Sequence, residues 1–164
     1  MTKTRKMLSD WNAPYIQALI QEMDKLAKSE LVNWALAYTE DCILPLWRKH
    51  CPEDHRPQEA LAAARKWLAG EIKLPQAKPL IQACHAAARE SLCQPVAQAA
   101  ARAIAHTASI IHISKHCYGL PLYGALALAY DQLGVEAPWS QVEIRAAAEC
   151  ERMSESLRAF NRCR

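Results

Sequence analysis

The stretch from Gln94 to His112, QPVAQAAARAIAHTASIIH, carries alanine at positions 97, 99, 100, 101, 103, 105 and 108. Alanine has the highest helix propensity because it loses no side-chain freedom on becoming helical. Pro95 suits a first helical turn, where its missing N–H is not needed. The stretch therefore predicts a helix from Gln94–Pro95 to about His112. Alanine on nearly every side permits close helix approach, so this helix is expected at the centre of a bundle.

The flanking segments are also helical. Strand signals are nearly absent, with few β-branched runs and no Asn-Gly or Asp-Gly turn. A first helix starts near Asn12, with Pro14 in its first turn and Ile16, Leu19, Ile20, Met23 and Leu26 at helical spacing. A second runs from Ser29 to about His50 on the face Leu31, Trp34, Ala35, Tyr38, Ile43, Leu44 and Trp47. Pro45 should kink it, because proline lacks an N–H and clashes with the preceding turn. Cys51 to Pro57 is a loop. The next helix opens at Pro57 on the face Ala60, Leu61, Ala64 and Leu68, and stops at Gly70. Another covers Pro75 to Leu92. After a break near Ser114, helix continues to Leu133 and closes at Gly134. Two Gly and a Pro between Tyr118 and Gly124 signal tight packing or a kink there. A last helix covers Gln141 to about Phe160. The expectation is an all-α, compact bundle of six to seven helices in one domain, residues 1–164. Its parts are an N-terminal extension, 1–28, a core, 29–134, and a C-terminal helix, 138–164.

Composition narrows the class. Apolar residues are 51% of the chain, enough for a real core and against disorder. The net charge is +3, and Lys and Arg are spread along the chain without a stripe, which argues against a nucleic-acid partner. No uncharged apolar run approaches the length of a membrane span. The seven cysteines are odd in number and none are spaced C-x-x-C. Met1 to Asp10 does not read as a signal peptide. These features predict free thiols, mostly as small core residues, in a reducing, cytoplasmic setting.

The candidate chemistry lies in His and Arg. His112 and His116 are four apart, a ligand spacing on a continuous helix, but a break is expected between them. His85 with Arg89, and Arg102 with His106, repeat an i,i+4 pairing on consecutive helices. Antiparallel packing of those helices would bring two Arg and two His together. Such a cluster suits an anion or a carboxylate, since Arg presents a planar donor fork. It equally suits a structural network with Glu40, Glu71 or Glu90 as acceptors. The polar cluster His85, Arg89, Arg102, His106, His112 and His116 is thus structural or ligand-binding, with no metal and no cofactor assigned. Cys117 beside His116 does not make a nucleophile, because helix neighbours point apart. There is no G-x-S-x-G, no phosphate-binding glycine loop and no H-E-x-x-H.

Several blocks carry a resemblance. They are Trp34-Ala-Leu-Ala-Tyr-Thr-Glu-Asp-Cys-Ile-Leu-Pro-Leu-Trp47, then Arg56-Pro57 with Glu59-Ala60, and Ala64-Arg65-Lys66-Trp67 with Gly70. His85-Ala-Ala-Ala-Arg89 follows, then Ala100-Ala-Arg102 through His106-Thr-Ala-Ser, with His112 and His116 before Tyr123. Over about residues 31–133 the chain resembles the small all-helical family assigned as immunity proteins of bacterial polymorphic toxin systems. Ile104-Ala105 and Ile110-Ile111 depart from it, standing where smaller residues are expected.

The resemblance implies a binding protein that neutralises a cognate toxin by direct contact, which needs a rigid surface and no catalytic centre. Binders of basic nucleases are often acidic. At +3, this chain would need a local acidic patch, such as Glu40, Asp41, Glu53 and Asp54, for such a partner. The stretch Trp47 to Asp54 is a candidate contact surface. Two other readings stay open: a metal- or ligand-dependent enzyme built on the His/Arg cluster, and a structural or homo-oligomerising helical protein.

Overall fold

The computed structural model describes residues 3–163. Its helices are α1 (Pro14–Asp24), α2 (Lys28–Tyr38), α3 (Leu44–His50), α4 (Arg56–Leu68), α5 (Leu74–Glu90), α6 (Pro95–Ser109), α7 (Leu126–Leu133) and α8 (Trp139–Arg162). No strand occurs among the described residues. The chain is an all-α bundle, as its composition predicts.

Helix α6 is the axis of the bundle. It packs against α2, α3, α4, α5 and α7. From Val96 to Ser109 every residue is buried except Arg102 and His106, which are half-buried. Alanine makes this possible, because a methyl lets a neighbouring backbone approach within the short end of the usual interaxial distance. Ile104 and Ile110, larger than the family resemblance led us to expect, are fully buried.

Helices α2 and α3 are two halves of one bent rod. A wide π-type turn, Thr39–Ile43, joins them. Pro45 supplies the cause. It has no N–H to give and would crowd the preceding turn, so the ladder widens just before it. The Leu44 N–H reaches back five residues to the Thr39 carbonyl. The turn is anchored from inside, where the Thr39 and Thr107 hydroxyls share a buried hydrogen bond of 2.9 Å.

Helix α6 ends three residues earlier than its alanine pattern predicts. A turn at Ile110–Ile111 precedes a short 3-10 segment, Ser114–Tyr118, and a π-type segment, Leu120–Ala125, leads into α7. The free carbonyls of Ile111 and His112 accept hydrogen bonds from Lys28 Nζ at 3.4 and 3.2 Å. Gly70 and Gly134 close α4 and α7 with φ of +77° and +84°, conformations that only glycine adopts cheaply.

The N-terminal residues dock on the body. Leu8 is buried, and its N–H donates to the Leu122 carbonyl at 2.9 Å. Arg5 lies over the Trp139 ring at 3.9 Å, and α1 packs along α8. Three cysteines, Cys84, Cys117 and Cys150, are core residues; Cys42 and Cys51 are half-buried, Cys93 and Cys163 exposed, and all seven are free thiols.

Candidate functional site

The two half-buried residues of α6 define the site. Arg102 and His106 are one turn apart, so they share a stripe. Helix α5, joined to α6 by residues 91–94, presents His85 to that stripe. Arg102 Nη1 donates to His85 Nδ1 at 2.7 Å. A guanidinium has no lone pair to offer, so His85 Nδ1 is the acceptor and the His85 proton sits on Nε2.

Three imidazoles then follow in series. His85 meets His106 edge to face, with centroids 5.5 Å apart. His106 meets His116 at 5.5 Å and stacks on the Tyr123 ring at 5.2 Å and 16°. The 3-10 segment carries His116, and the π-type segment carries Tyr123. Gly119, between those segments, lets them close on His106: a Cβ there would overlap the His106 Cβ and Cγ.

The imidazoles of the cluster are held toward their neutral form. Burial pushes His85 down to about 4, and the adjacent Arg102 and Arg89 charges add to it. Burial likewise lowers His106 to about 4, helped by His85, His116 and Arg102. His116 is lowered by burial and then by His112. His106 Nδ1 is buried and has no hydrogen-bond partner. Burial pushes the Cys117 thiol up to about 12, which removes it as a nucleophile near neutrality.

Of the six polar residues singled out in the sequence, four converge: His85, Arg102, His106 and His116. Arg89 stands exposed at the edge of an adjoining cleft. His112 is exposed beyond the turn that ends α6 and stacks on no ring of the cluster. The acceptors considered for the cluster lie elsewhere. Glu40 holds Arg65 through two bonds of 3.0 and 2.7 Å, and Glu90 pairs with Arg56 at 2.6 Å. Glu71 is exposed and lines a separate cleft with Glu40 and Arg65. Among the described residues, no three His, Cys, Asp or Glu side chains are placed to hold a metal ion.

Two surface expectations also change. The acidic group Glu40, Asp41, Glu53 and Asp54 is not a free patch, because Arg65 neutralises Glu40 and Arg56 clamps Asp54 at 2.6 Å. Trp47 is not a surface residue; it is buried, and its indole N–H donates to the Asp54 carbonyl at 2.7 Å. Leu92, expected to end this helix, lies past the end of α5 and is 64% exposed.

The cleft beside the cluster measures about 530 Å³. Arg102, His106 and Tyr123 form part of its lining, with Lys6, Met7, Arg89, Leu92 and Gln98 around them. Lys6 and Met7 come from the docked N-terminal segment. No periodic pattern links them to α6, so the sequence carried no signal for this cleft. Tyr123 and Gly119 were visible only as irregularities of an otherwise helical stretch.

The fold is an all-α bundle, and its most distinctive polar feature is the half-buried cluster of His85, Arg102, His106 and His116. The chain belongs to the Imm-5 like putative immunity protein family, whose model matches residues 3–156. The match reaches beyond 31–133 on both sides and takes in the docked N-terminal segment and most of α8. No curated protein and no solved structure matches the chain.

Proposed function

We propose that this protein binds a cognate toxin directly and neutralises it. Membership of an immunity-protein family across residues 3–156 is the observation that carries this reading. The body suits it physically. Arg56 ties the loop before α4 to the end of α5 through Asp54 and Glu90, and Arg65 ties α4 to the π-type turn through Glu40. A surface fixed in this way loses little entropy on binding. Ile144, 72% exposed on α8, and Leu92 stand out from it as apolar anchors for a partner. With a net charge of +3 and with Glu40 and Asp54 already paired to arginines, the chain suits a neutral or acidic partner better than a basic nuclease. No helix among the described residues is long and apolar enough to cross a membrane.

An enzymatic use of the histidines has less support. Arg102 already occupies His85 Nδ1, and Cys117 is held as a thiol.

The test is reconstitution with candidate toxin domains encoded by the neighbouring genes. The purified proteins are expected to form a stoichiometric complex and the toxin to lose activity. Ile144→Glu or Leu92→Glu, each at an exposed site, should weaken the complex without lowering the melting temperature. A toxin that neither binds nor is inhibited overturns the reading. Light scattering of the chain alone shows whether a second copy covers the Ile144 face instead.

A further inference from the structure

Among the described residues, four arginines are half-buried: Arg56, Arg65, Arg102 and Arg145. Three of them have a carboxylate partner. Arg56 pairs with Asp54 and Glu90, Arg65 with Glu40, and Arg145 with Glu149, at 2.6 to 2.7 Å. Arg102 is the exception. Its one hydrogen bond to a described residue goes to the neutral ring of His85. A half-buried guanidinium without a counter-charge keeps a desolvation cost that a carboxylate would offset.

The surroundings of Arg102 repeat the imbalance. The cleft beside it is lined by the cations Lys6, Arg89 and Arg102 and by no Asp or Glu. Neither Lys6 nor Arg89 forms an ion pair with a described residue. Tyr123 also lines the cleft, and its hydroxyl donates to no described residue. Met7 and Leu92 give the cleft an apolar wall. At about 530 Å³ it is larger than an inorganic ion requires and falls in the range of small-molecule sites.

We propose that this cleft is a carboxylate-binding site, in which Arg102 grips the acid, Lys6 and Arg89 attract it, and Met7 and Leu92 cover its carbon chain. Behind them, His85 accepts the Arg102 Nη1–H bond and His106 stacks on the Tyr123 ring. The carboxylate comes either from a free small acid or from a Glu or Asp side chain of a bound protein; the chemistry of the grip is the same. The proposal shares Leu92 with the toxin-binding reading but does not depend on it, because glutarate binding is read on the chain alone and the toxin complex is tested separately at Ile144.

The experiment follows the Arg102 Nε–H resonance of the full chain by NMR. Glutarate, the peptide acetyl-Leu-Glu-amide, inorganic phosphate and sodium chloride are titrated separately at matched ionic strength. Glutarate or the peptide is expected to give a saturable shift. Arg102→Gln, followed on the Tyr123 ring, should weaken binding roughly tenfold or more, and Arg102→Lys less. Because Arg102 supports His85, the exposed rim variants Lys6→Gln and Arg89→Gln serve as a second test, each weakening binding about threefold. Tighter binding of the peptide than of glutarate assigns the site to a partner's side chain; the reverse assigns it to a free acid. A shift that does not saturate, that sodium chloride reproduces, or that survives Arg102→Gln with the rim variants unchanged, overturns the proposal. Phosphate binding as tight as glutarate overturns the carboxylate class.

Discussion

Gly119 has no Cβ, and the His106 side chain occupies the place one would take. Its backbone is ordinary right-handed helix, with φ of −62°, so glycine is required there by sterics and not by backbone conformation. Two irregular segments, one bearing His116 and the other Tyr123, close on α6 through this contact.

Gly119→Ala should therefore drive His106 off Tyr123. Overpacking of this kind costs about 1–3 kcal/mol. Urea denaturation measures the loss. The double variant Gly119→Ala/His106→Ala should recover part of it, because the two changes share one contact. Strictly additive effects would show that the contact does not matter.

The imidazole cluster makes stability depend on pH, with a defined sign. Folded His85 and His106 resist protonation until about pH 4. The unfolded chain takes those protons near pH 6.5. These two rings thus leave stability unchanged above neutrality and lower it as pH drops from about 6.5 toward about 4. With partial exposure discounted, the fall is on the order of 2 kcal/mol. Urea midpoints measured at steps across that window give the slope. NMR of the two rings should show them neutral through the upper half of it.

Glu149 is 2% exposed, and Arg145 faces it at 2.7 Å. Arg152 at 3.5 Å is a weaker second partner. Arg145→Met leaves the buried carboxylate short of counter-charge, so a loss of about 2–4 kcal/mol is expected. Adding Glu149→Leu should restore much of it. Chemical denaturation of the three variants decides; a harmless Arg145→Met would mean that Arg152 suffices.

The Thr39–Thr107 hydrogen bond joins the π-type turn to α6. Thr107→Val leaves one buried hydroxyl unsatisfied and should cost about 1–2 kcal/mol. Thr39→Val/Thr107→Val removes both hydroxyls and should be less harmful than the single change. Thermal unfolding compares them.

Much of this architecture is legible along the chain. The alanine run 97–108 announces a helix that others can approach from several sides, and α6 is that helix. Pro45 announces a distortion and Gly70 a stop, because each acts through its own backbone bonds. The i,i+4 pairs His85/Arg89 and Arg102/His106 mark polar faces on neighbouring helices, and the convergence of His85, Arg102 and His106 follows once those helices pack side by side.

Local pattern stops at contacts between segments far apart. The partners of the arginines are one example: Glu40 and Glu90 were equally available to Arg102 by composition, yet they face Arg65 and Arg56. The exclusion of His112 and the exposure of Leu92 follow from α6 and α5 ending three and two residues earlier than their patterns predict. The cleft at Arg102 joins Lys6 to residues about a hundred positions away. Helix type is settled by interactions within a few residues, which periodicity reports. The choice of counter-ion and the shape of a cleft are settled by packing between elements, which only the folded chain decides.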